Sequence, residues 1–287
     1  MTIRNILTML EGANSDVVDL AAVGALAKSF SAHVDLLHVR RDPRSVMPIV
    51  GEGMSAELID MVQTQVASEE QVTADRCRSV FDQWCAKENV QQIAEPSANA
   101  GRTARLVDVT GDAATVVALL GKMADLIVLP SPSLDQGRLS SVAEAALYDT
   151  GRPVLFSPRE NLKTLGSRVA VFWNDTVEAS RALQAAIPFL ANADDVRIIA
   201  ANDDTATTEM LTAVAASLAW HGVRASAHLV EPDSRSIAEA LLDSAWEFNA
   251  DMIVMGAFSH SRLREIILGG VTQHILNVAG RPVLMMH

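Results

Sequence analysis

Short apolar runs alternate with stretches of helical periodicity along the whole chain. In the first half the runs at residues 6–10, 33–39, 104–109, 126–129 and 153–156 read as strands. Helical patterns occupy residues 17–29, 56–88, 113–122 and 141–148. The second half repeats the plan, with strands at 169–173, 196–200, 225–230, 252–255 and 283–286. Nearly unbroken Val/Ile/Leu strands imply burial on both faces, hence a parallel sheet covered by helices. Right-handed crossovers then give doubly wound α/β architecture.

The two halves also share sequence. Ala124-Asp-Leu-Ile-Val-Leu-Pro130 matches Ala250-Asp-Met-Ile-Val-Met-Gly256, and Gly151-Arg-Pro-Val-Leu155 matches Gly280-Arg-Pro-Val-Leu284. The offsets are 126 and 129 residues, so the second copy carries three extra residues between these anchors. We therefore expect two tandem copies of one domain, residues 1–158 and 166–287, joined around 158–167.

Composition narrows the chemistry. A hydrophobic fraction of 49% supports true cores, and a net charge of −12 disfavours nucleic acid as a partner. No apolar run reaches the roughly 18 residues of a membrane span. The opening residues lack the layout of a signal peptide, so the expectation is a cytoplasmic protein. Cys77 and Cys85 fall in one helical stretch, about 12 Å apart along its axis, and read as ordinary thiols. The histidines make no metal spacing, and neither a nucleophile elbow nor a Walker lysine is present. No catalytic residue and no metal ligand is nominated. Leu58, Met61 and Val62 read as packing positions of the long first-half helix.

The stretch from Met255 to Thr272, MGAFSHSRLREIILGGVT, carries the candidate site. Gly256 ends a strand and Gly269-Gly270 open the last helix, on which Val271, Ile275 and Val278 are expected to share the apolar face. Helix N-termini offer unpaired N–H groups and the positive end of the dipole, and glycines let an anion come close. Arg262, Arg264 and His260 lie in the same loop and read as solvated side chains. A tight helix start with nothing bound is the other reading of these glycines.

This loop, and the segment SHSRLREIILGGVTQHILNVAGRPVLMMH that contains most of it, resembles the C-terminal signature of the universal stress protein (UspA-like) family. The resemblance extends, eroded, into the first half. It implies five-stranded parallel sheets in strand order 3-2-1-4-5, the two halves pairing as a dimer does, with further homodimerisation open. It also implies ATP or another adenine nucleotide, with or without Mg²⁺, as ligand of the binding members, and a role in stress signalling or tolerance. By position the nucleotide would meet Asn174, Ala201, Gly256, Ser259, Gly269, Gly270, Val271 and Thr272. Three residues depart from the family pattern: Ser259 stands for glycine, Gly270 for Ser or Thr, and Asn174 for Asp. Ser259, if it must adopt left-handed geometry, costs roughly 1–2 kcal/mol, about a tenfold loss of affinity. In the first half Pro130 replaces Gly256, Ser140-Ser141 replace Gly269-Gly270, Glu11 replaces Asn174, and Asp135 sits in the loop. That half is expected to bind no nucleotide. A member acting only through protein contacts, and a slow nucleotide hydrolase, are the competing expectations.

Overall fold

The computed structural model describes residues 2–13, 16–44, 56–96, 101–132, 140–158, 164–202, 206–257 and 270–287. In chain order the first half contains β1 (Asn5–Met9), α1 (Asp16–Phe30), β2 (His33–Arg40), α2 (Ala56–Glu88), β3 (Gln91–Gln92), β4 (Thr103–Thr110), α3 (Ala113–Gly121), β5 (Leu126–Pro130), α4 (Ser141–Asp149) and β6 (Val154–Ser157). The second half contains β7 (Arg168–Phe172), α5 (Val177–Leu190), β8 (Asp195–Ala201), α6 (Thr208–Leu218), β9 (Ala225–Val230), α7 (Ile237–Glu247), β10 (Met252–Gly256), α8 (Gly270–Val278) and β11 (Val283–Met286).

All eleven strands join one sheet, ordered β3-β4-β2-β1-β5-β6-β11-β10-β7-β8-β9. Within each half the pairing is parallel, and the five principal strands run 3-2-1-4-5 as expected. The halves meet where β6 and β11 pair antiparallel, with Leu155 opposite Leu284. This seam makes a continuous sheet from two repeats and leaves neither fifth strand as an open edge. β3 is an addition that hydrophobic periodicity does not reveal, because its two glutamines are exposed and carry no apolar signal.

Side chains alternate between two cores. Val169 and Val171 belong to the layer under α1, α2, α5 and α6, whereas Ala170 and Phe172 belong to the layer under α3, α4, α7 and α8. Burial on both faces explains why β5 and β10 read as unbroken apolar runs rather than alternating ones. The repeated Gly-Arg-Pro is architectural. Gly151 and Gly280 follow α4 and α8 with φ of 63° and 54°, the left-handed geometry that ends a helix at little cost to glycine. The prolines then present carbonyls that accept from Ile127 and Ile253, starting the pairing of β5 with β6 and of β10 with β11.

Two packing expectations are corrected. α8 buries Thr272, Ile275 and Leu276, while Val278 is exposed, so its buried face is rotated from the one that Val271, Ile275 and Val278 suggest. Along α2, Leu58 and Met61 are exposed and Val62 is half-buried, because the first turns of this 33-residue helix lack the deep burial of its later ones. The buried part of α2 begins at Glu70 and runs through Cys77, Phe81, Trp84 and Cys85.

Candidate functional site

In each half the first and fourth strands are neighbours whose following helices leave to opposite faces of the sheet. In the second half β7 feeds α5 on one face and β10 leads to α8 on the other. The crevice beyond the carboxyl ends of two such strands is the standard ligand position of an open α/β sheet.

The β7 side of this crevice is a tight turn. Trp173 extends the ladder, its N–H donating to Ile199 O at 2.8 Å. Asn174 is exposed, and Asp175 takes a φ of 52°. Thr176 caps α5 by accepting from the Ala179 N–H at 3.2 Å, and its hydroxyl donates to Asn174 Oδ1 at 2.8 Å. Thus Asn174 is held by the cap of the helix it precedes. Ala201 ends β8 and is buried. The next residue, Asn202, donates through Nδ2 to Glu231 Oε1 at 2.7 Å, which ties the ends of β8 and β9 together.

On the β10 side, Gly256 is glycine for a packing reason. A Cβ there would lie 2.6 Å from the Ala179 nitrogen and 2.7 Å from the Glu178 carbonyl carbon. The end of β10 therefore lies against the first turn of α5 so closely that a side chain has no room. Gly270 is the opposite case: a Cβ there meets nothing within 4 Å. Val271 is half-buried against the α7–α8 layer, and Thr272 is buried on α8. The structure thus gathers Asn174, Ala201, Gly256, Gly270, Val271 and Thr272 at the carboxyl ends of β7, β8 and β10 and the start of α8. Ser259, Gly269, His260, Arg262 and Arg264 lie outside the described residues.

Helix starts differ between the halves. α3, α4, α5, α6 and α7 each open on a side chain that accepts from its own first turn: Asp112, Ser140, Thr176, Thr207 and Ser236. These caps satisfy donors that the helix itself leaves unpaired. In the first half Ser140 does this for α4, accepting from Ala143. The matching residue before α8 is Gly269, which has no side chain to offer.

The first half also closes its crevice. Asp16 Oδ2 accepts from the Glu11 and Gly12 N–H groups at 3.1 and 2.8 Å. Burial nonetheless pushes the Asp16 carboxyl above its usual range. A Cβ on Gly12 would lie 2.8 Å from Thr73 Cγ2, so α2 sits directly on this turn. A polar network pins α2 there. Arg41 pairs with Glu70 at 2.6 Å, and Arg40 bonds Asp108 and Gln71 while Asp108 also meets His38. The Arg40 guanidinium holds the Asp108 carboxyl down to about 2. None of these contacts shows in local sequence patterns, since each joins segments about 30 to 70 residues apart. His287, too, escapes sequence reasoning. Its ring shares a hydrogen bond with Ala257 O at 3.1 Å and meets Tyr148 of the other half edge-on at 4.9 Å.

Cys77 and Cys85 are both buried, and burial raises their thiols to about 12 and about 11. Such thiols are poor nucleophiles and poor ligands at neutral pH. Among the described residues no cluster of His, Cys, Asp or Glu has the makings of a metal site, and no helix is long and apolar enough to cross a membrane.

Residues 168–287 match the model of the Universal stress protein family. No curated protein sequence matches the chain. Among solved structures, a universal stress protein from Archaeoglobus fulgidus superposes with a TM-score of 0.67 at 18% identity, covering 98% of this chain and 97% of its own. A putative universal stress protein from Pseudomonas aeruginosa gives 0.57 at 15% identity, over 99% of this chain and 93% of its own. A functionally unknown protein from the same species gives 0.55 at 16% identity, with 99% and 92% covered. Both halves therefore share the fold of these relatives.

Proposed function

Because residues 168–287 form a domain of the universal stress protein family and a second domain of the same fold precedes it, we propose that the chain is a stress-response protein whose C-terminal domain binds an adenine nucleotide. The base and ribose would rest on Asn174 and Ala201, and the phosphates on Gly256, Ser259, Gly269, Gly270, Val271 and Thr272. The observation that carries this reading is the start of α8. It is entered through Gly269-Gly270, it has open space at Gly270, and Gly269 brings no capping side chain, while the five other helices with a described cap each carry one. Uncapped donors at the positive end of a helix, beside a strand-end crevice, suit a phosphate.

The first domain serves as the structural partner. Its helix start is capped by Ser140 and its crevice is covered by α2, which supports assigning the ligand to the second domain. Signalling follows if nucleotide occupancy alters the surface around the β10–α8 loop and so its protein contacts. The inherited-architecture reading, protein contact without nucleotide, draws its support from Gly256, whose glycine is accounted for by α5 alone. Hydrolysis has no supporting base among the described residues. Isothermal titration of nucleotide-stripped protein with ATP and AMP, against Gly269→Asp, decides between them. Binding that vanishes in the variant supports the cradle, and silence up to millimolar nucleotide leaves the protein-contact reading standing.

A further inference from the structure

The further inference concerns Trp173 and rests on the nucleotide reading above. Trp173 continues β7 by one residue through its bond to Ile199 O. Strand alternation puts its indole in the layer of Val169 and Val171, packed on the cluster that α5 and α6 complete. Its next neighbour is Asn174. The indole Nε1 is buried and has no hydrogen-bond partner. Buried donors in folded proteins are nearly always paired, so an unpaired one calls for an account. The core tryptophan of the first half follows the rule, since Trp84 Nε1 donates to Leu20 O at 3.2 Å. The residue that matches Trp173 in the first half is Leu10, fully apolar and 1% exposed. A donor thus stands at this place only in the half whose last helix opens on two glycines.

We propose that Trp173 reads the base, its Nε1–H donating to a ring nitrogen of a purine seated over the carboxyl ends of β7 and β8. The indole N–H is a neutral donor and suits a neutral acceptor. It is bonded through its backbone to β8, whereas the start of α8 lies on the β10 side, so β7 separates the two. Strands lie about 4.8 Å apart, which sets a base-reading donor and a phosphate cradle roughly 10 Å from one another across β7. That arrangement accepts a nucleoside phosphate lengthwise. The N–H is closed to bulk water, so its acceptor arrives with the ligand.

The test uses the full chain and Trp173→Phe, which keeps an aromatic ring and removes the donor. AMP, ribose 5-phosphate, and the 1-, 3- and 7-deaza analogues of AMP are titrated into both proteins, and the melting temperature of each free protein is measured. The expected result has three parts. The free variant melts at the same temperature or higher, because an unpaired donor is gone. It binds AMP about five- to tenfold more weakly, as loss of one hydrogen bond predicts, with ribose 5-phosphate unchanged. Wild type discriminates against one deaza analogue, and the variant loses that preference. Equal AMP affinity in the two proteins overturns the assignment. So does a variant that weakens AMP and ribose 5-phosphate alike while keeping the deaza preference, since the ring is then only a support. A wild type that binds no nucleotide sinks the underlying reading and this assignment with it, which distinguishes that failure from the first two.

Discussion

Asp125 and Asp251 hold equivalent posts in the two halves, each fastening the start of its own domain's first strand. Asp125 Oδ2 accepts from the Arg4 and Asn5 N–H groups at 2.8 and 3.0 Å. Asp251 accepts from the Ser167 and Arg168 N–H groups at 3.2 and 2.9 Å. A carboxylate just before the fourth strand thus bridges to the first across the switch point, 126 residues apart in the chain. This is the physical content of the repeated Ala-Asp pair. Replacing either aspartate by alanine leaves two strand-end donors without their charged acceptor. We expect each change to lower unfolding free energy by about 1–3 kcal/mol in urea titration, since bonds to charged groups lie at the strong end of the range.

The two glycines of the candidate site should respond in opposite ways. Gly256→Ala forces a methyl group against the backbone of α5 and should destabilise the fold by about 1–3 kcal/mol or more. Gly270→Ala meets open space and replaces the poorest ordinary helix former by the best, so the melting temperature should hold or rise. Thermal melts of the two variants side by side check this directly.

The fold was largely legible from sequence because burial on both faces makes each strand a short apolar run and because the halves repeat. Asp125 with Asp251 and Gly151 with Gly280 mark the register of that repeat at both ends. The antiparallel seam between β6 and β11 was not legible, since each strand alone looks like any fifth strand of a parallel sheet. The cover over the first-half crevice was hidden for the same reason: Gly12 meets Thr73 sixty-one residues away, by subtraction of their numbers. The site was legible only as a set of positions. Residue type alone could not say that Gly256 is glycine for packing while Gly270 has room, nor that Trp173 is left without a partner.

Acid should loosen the hold on α2. The Asp108 carboxyl lies at about 2 in the folded protein, below the ordinary value of roughly 3.9 for an unfolded chain. A depressed acid contributes stability that is present above the unfolded value and is lost as pH falls through the folded one. Asp108→Asn should therefore be less stable than the parent at pH 7, with the difference shrinking between about pH 4 and pH 2. Because Asp108 is largely solvated, the effect should be small and weaker at high salt. Denaturation curves across that window measure it.

The thiols should be silent until the protein unfolds. With Cys77 raised to about 12 and Cys85 to about 11, little thiolate exists at pH 8, and both are covered. A disulfide-exchange reagent should label neither in the native state and both in denaturant. Rapid native labelling of Cys77 would mean that α2 lifts from the first-half crevice.

The central claim is that a nucleotide sits in the second half and not the first. It is tested most directly by an experimental structure determined with saturating AMP. The account predicts one nucleotide per chain, over the carboxyl ends of β7 and β10, with its phosphate at the start of α8. A nucleotide over β1 and β5, or none in either crevice, would contradict it.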